Sequence, residues 1–97
     1  MSEKTENYTL PHLKTLEHAT KLAIVEDKPV MLDYWTHSLE KKALIGVKEN
    51  GDKLLVKNEE EYTSSIQKLF KCESNYIIMT ENSIYLVDAA IPTRKIT

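Results

Sequence analysis

The chain has 97 residues, 41% apolar and 29% charged, the mixture of one globular domain rather than of a chain that stays unfolded. Thirteen Lys and Arg against fifteen Asp and Glu leave a formal charge of -2, which removes any global electrostatic case for nucleic acid or an anionic membrane. No apolar run approaches the roughly 18–20 residues that span a bilayer.

Residues 1–9 are polar and aperiodic, and are read as a flexible tail without the apolar core of a signal peptide. The domain is expected over residues 10–97. Thr9 is a candidate helix cap and Pro11 suits a first helical turn, where its missing N–H costs little. Leu13, Leu16, Thr20, Ala23 and Ile24 then follow a helical stripe. Pro29 drives Lys28 out of the α region, so the spacing predicts a helix over 10–26.

Short apolar runs come next. Val30 to Trp35 reads as a strand, with Asp33 inside it. Ala43–Val47 and Leu54–Val56 flank Asn50-Gly51, the dipeptide most favoured in two-residue hairpin turns. Such a turn sets Val47 opposite Leu54, Ile45 opposite Val56 and Lys48 opposite Lys53. Ile45, Val47, Leu54 and Val56 would then face the core, and Leu44, Gly46, Leu55 and the lysines the other side.

Residues 62–72 fit two patterns. Tyr62, Ile66, Leu69 and Phe70 suit a helix; Ile66, Phe70 and Cys72 suit one face of a strand, which Thr63-Ser64-Ser65 favours. A second hairpin is expected over Tyr76–Val87, turning at Glu81-Asn82 or at Asn82-Ser83; the former turn sets Met79 against Ile84 and Ile77 against Leu86. Its strands are apolar on both sides, as central strands are. The residues after Asp88, including Arg94-Lys95, read as an irregular end.

The expected fold is therefore α+β: an N-terminal helix followed by a curled antiparallel meander of five to six strands, small and barrel-like. One helix cannot cover both faces of that sheet, so a second apolar face must be closed by curling or by another chain. Leu44 and Leu55 of the first hairpin and Ile78 and Tyr85 of the second are the candidate interface residues.

Motifs for chemistry are sparse. His12 and His18 lie about 240° apart on a helix and do not share a face. His37, with Ser38 and Glu40 beside it, lacks the convergence a triad requires. Asp33 has no visible acid–base partner. The sequence therefore predicts no catalytic, metal-binding or cofactor-binding residue. Its one cysteine, Cys72, fits an apolar filler in a reducing, intracellular compartment. Twelve of the thirteen basic residues are Lys, a poor set for reading bases or phosphates by rigid forks. The candidate anion or nucleic-acid contacts are Lys48, Lys53 and Lys57.

Three resemblances accompany these residues. Lys28 to Trp35 resembles the strand before the active site of thioredoxin-like proteins, and Ile91-Pro92-Thr93 their cis-proline corner. Thr36-His37-Ser38-Leu39 stands where that family has its cysteines, and a hairpin replaces its next helix, so redox activity does not carry over. A helix followed by a five-stranded meander is similar in outline to Sm-like RNA-binding rings, without their glycine and asparagine signatures. Thr80 to Tyr85 resembles strand motifs of small phage and large-virus proteins, which implies no activity. The expected role is a non-enzymatic protein–protein contact module, acting on itself or an unknown partner without a membrane. The alternative is a small-barrel RNA binder using the lysine-rich hairpin.

Overall fold

The computed structural model describes residues 9–96; the expected tail over residues 1–9 falls, apart from Thr9, outside them. Helix α1 spans Leu13–Glu26. Its cap is His12, whose Nδ1 accepts the Lys14 N–H at 3.2 Å, so Pro11 precedes the helix. Thr9 serves elsewhere, its carbonyl accepting Trp35 Nε1–H at 2.8 Å. The helix ends at Asp27 in a left-handed conformation, and Lys28 N–H donates back to the Ala23 carbonyl at 3.1 Å.

The buried face of α1 overlaps the stripe predicted from the sequence only at Leu16 and Ala23. Thr15 and Ala19 are buried, with Leu16, Leu22 and Ala23 half-buried, while Leu13, Thr20 and Ile24 point to solvent. Small residues sit inward because the helix lies close to the sheet. Thr15 Oγ1 is 2.9 Å from Asn75 Oδ1, and the same oxygen accepts the His12 N–H at 2.8 Å. That buried amide fixes the start of the helix to the sheet.

Strand β1 is shorter than expected, Val30–Met31, and pairs parallel with β6 (Ile84–Asp88). The Trp35 N–H donates to the Leu32 carbonyl at 3.1 Å and opens a short helix, α2 (Trp35–Leu39). Tyr34 and Trp35 enter different apolar clusters on the two sides of the sheet. Asp33 is accordingly an exposed turn residue, not part of a strand.

The first hairpin joins β2 (Leu44–Val47) to β3 (Lys53–Val56), shifted by one residue from the expected register. Lys48 N–H donates to the Asp52 carbonyl and Gly51 N–H to the Lys48 carbonyl, with Gly51 at φ 94°. Three residues therefore make the turn rather than two. Ile45 pairs with Leu55 and Val47 with Lys53, so Leu55 shares the inward face of Ile45.

Residues 62–72 form one long strand, β4 (Tyr62–Cys72), as the threonine–serine run favours. β4 pairs with β3 through its first residues and with β5 (Asn75–Thr80) through the rest, with register breaks on both sides. Of the two turns the sequence allows, the β5–β6 hairpin has the register of Glu81-Asn82, with Met79 opposite Ile84 and Ile77 opposite Leu86. The last residues are not irregular: β7 (Thr93–Lys95) pairs parallel with β2.

The result is α+β with a seven-stranded sheet, ordered β1-β6-β5-β4-β3-β2-β7. It is bent but not closed into a barrel, since β1 and β7 remain its two edges. Bulges along β4 let the sheet fold back on itself. Ile45 and Leu55 then pack with Ile78 and Val87, and Tyr34, Ala43 and Ile91 from the connections complete that cluster. On the other face, α1 and α2 cover Ile77, Met79, Ile84 and Leu86. The second apolar face is thus closed by the chain's own other half-sheet. Leu55 and Ile78, candidate interface residues, are fully buried within one chain and offer nothing to a partner; Leu44 and Tyr85 are half-buried.

Replacing Asn75 with Ala removes the acceptor of the part-buried His12 N–H and leaves the Thr15 hydroxyl only the Cys72 carbonyl, and should destabilise the fold by about 1–2 kcal/mol. Thr15→Val keeps the volume and leaves the His12 contact, so it should cost about 1 kcal/mol in the same denaturant titration.

Candidate interaction surface

Three places gather chemically distinctive side chains. The first lies at the rim of the bent sheet. Lys57 follows β3, and its ammonium stands 4.0 Å from Asp33 and 4.0 Å from Glu61. The same group lies 4.8 Å from the centre of the Tyr34 ring, which meets Tyr85 edge-on at 5.3 Å. The Lys57 side chain is only 12% exposed. Asn58 holds the turn, its Oδ1 accepting the N–H groups of Glu60 and Glu61. This arrangement balances one cation with two carboxylates over an aromatic face. It acts as a clasp between the β1–α2 and β3–β4 connections, and takes Lys57 out of the set of free lysines. Burial, reinforced by Tyr85 and by the carboxylates of Asp33 and Glu61, pushes the Tyr34 phenol up to about 12.

The second place is the β3-β2-β7 end of the sheet. Lys48 and Lys53 are both exposed, but Lys53 stands opposite Val47 instead of Lys48. Parallel pairing of β7 on β2 sets Lys95 beside Val47 and Arg94 beside Gly46. Sequence reasoning missed these two basic residues, because a three-residue parallel edge strand leaves no periodic signal.

The third is apolar. A groove of about 380 Å³ runs between α1 and β4. Leu22 and Val25 form its helix side, Phe70, Cys72 and Ile77 its sheet side, and His18, Lys21 and Lys71 its rim. Cys72 is half-buried against the helix-side cluster, as an apolar filler would be. Val25 on the groove wall is 70% exposed, and outside the groove the helix carries Leu13 and Ile24, which are 72% and 76% exposed. Leu69 and Phe70 add exposed apolar surface on β4. The signal for the groove is a second helical stripe, Leu22 and Val25, set apart from Leu13 and Ile24.

The histidines do not converge. His12 caps α1 with Nε2 3.7 Å from Glu73, His18 edges the groove, and His37 lies in α2. Among the described residues no three His, Cys, Asp or Glu side chains are grouped to hold a metal ion. No helix of the described residues is long and apolar enough to cross a membrane.

Tyr34 is neutral in the folded chain to about pH 12 but ionises near 10 once exposed. Its contribution to stability is therefore complete below pH 10 and should be lost as the pH rises from 10 to 12. Tyrosinate absorbance should show a late-ionising component that disappears in Tyr34→Phe. Comparison with protein-family models, with curated proteins and with solved structures finds no match to this chain.

Proposed function

We propose that the protein is a small protein–protein contact module, working as a homo-oligomer or as a subunit of a larger assembly. The observation that carries this reading is the exposed apolar surface of α1, Leu13 and Ile24 on one side and Val25 on the wall of the groove that it shares with Phe70 of β4. Both faces of the central strands are satisfied within the chain, so this surface is surplus to the fold. Large exposed apolar patches on soluble domains serve contacts. The single Cys72 suits a reducing, intracellular setting, and the Thr80–Tyr85 resemblance suits a viral or phage source for such a subunit.

Size-exclusion chromatography with light scattering, run from micromolar to millimolar concentration, should give a mass above the monomer. Ile24→Asp or Phe70→Asp should lower it without loss of helical signal. A millimolar monomer that is also isolated without any companion protein overturns the reading.

A second reading has one observation of its own. β7 adds Arg94 and Lys95 to the exposed Lys48 and Lys53, a small basic edge suited to single-stranded RNA. It predicts salt-sensitive RNA binding that Lys48→Glu and Lys53→Glu abolish, while Lys57→Glu acts on stability instead. Absence of binding at low salt excludes it.

A further inference from the structure

The outer stripe of α1 is complementary to itself when the helix is reversed. Leu13 and Ile24 mark its two ends, and Glu17 and Lys21 lie one turn apart along the same flank. A shallow groove follows the stripe, lined by Leu13, Leu16, Glu17, Thr20, Lys21 and Ile24. The midpoint of Leu13 and Ile24 falls between His18 and Ala19, and that of Glu17 and Lys21 falls at Ala19. A single two-fold axis through that level therefore satisfies both pairs.

Resting on the contact-module reading above, we propose that the occupant of this stripe is a second copy of the chain, bound by antiparallel packing of α1 on α1. Such an interface is isologous, each contact occurring twice. Leu13 of each copy meets Ile24 of the other, closing the apolar ends that one chain leaves in water. In antiparallel helix pairs like flanks meet, so Glu17 of each copy faces Lys21 of the other, giving two ion pairs of correct sign. Thr20, small and uncharged, lets the helices approach near the axis. A parallel pair would bring unlike flanks together, so neither Glu17 nor Lys21 would meet an opposite charge from this flank. The contact is small beside the roughly 800 Å² per partner of standard interfaces, so micromolar affinity is expected.

The test uses charge reversal at these two exposed positions, measured by sedimentation with helical content as a check on folding. In Glu17→Lys both facing pairs become Lys against Lys, and in Lys21→Glu both become Glu against Glu. Each variant alone should dimerise about tenfold or more weakly than the parent, reflecting two modest pairs changed in sign. An equimolar mixture of the two variants should recover the parent affinity, because every facing pair is again opposite in charge. Loss in each variant alone together with rescue in the mixture is the result expected of a direct contact between copies in this reversed register. A self-associating chain whose affinity neither reversal alters, or whose variants fail to rescue each other, overturns the inference and leaves the broader contact reading standing. A parent chain monomeric at millimolar concentration overturns the inference too, and the broader reading then stands or falls on a companion protein.

Discussion

Strands β5 and β6 carry large apolar side chains on both faces, and every other feature of the chain follows from covering both. Ile77, Met79, Ile84 and Leu86 look one way, Ile78 and Val87 the other. Two short helices suffice for the first set only. The chain covers the second by bending its own sheet, and β4 is where the bend is made. Its eleven residues are enough to belong to two half-sheets at once, pairing with β3 and then with β5. The register breaks along it supply the local kink and extra twist that a flat ribbon lacks. Closure into a barrel is not required, because Tyr34, Ala43 and Ile91 fill the open side from the connections.

That solution moves the unsatisfied surface from the sheet to the helix. α1 meets the sheet through Thr15 and Ala19, side chains too small to hold it far away, and the Asn75 amide binds it close. Close approach limits how much of the helix circumference the sheet can reach. Leu13, Ile24 and Val25 are the apolar residues left beyond that reach. The surplus is consequently a product of how the core is packed, and its location on one regular element gives it a repeating, self-complementary form.

Much of the architecture is legible in the sequence, and the gaps have physical causes. Pro29 places the end of α1 correctly, and the Glu81-Asn82 turn gives the register of β5 and β6, since large apolar partners on both faces leave little room to slip. The first hairpin slips by one because Asn50-Gly51 suits more than one turn length, and a one-residue shift exchanges the faces of Leu54 and Leu55. Periodicity alone picks a stripe on α1 that overlaps the buried face only at Leu16 and Ala23: it weights large side chains, whereas close helix–sheet packing selects Thr15 and Ala19. β7 is too short to show alternation and exists through a parallel partner distant in sequence.

The lysines show why composition alone cannot assign a surface. Lys48, Lys53 and Lys57 look equivalent along the hairpin, but Lys57 lies past the end of β3, in the connection to β4, and so meets a different environment. Lys57 is drawn inward over Tyr34, where Asp33 and Glu61 balance its charge in a site largely shielded from solvent. Its aliphatic stem also covers apolar surface at the rim, so its contribution is structural even though its head is charged. Lys48 and Lys53 remain in water beside Glu49 and Asp52, which dilute their field. The same ammonium group is thus a clasp at one position and a solubilising charge at the others. The bend in the sheet decides which, by determining what stands opposite each side chain.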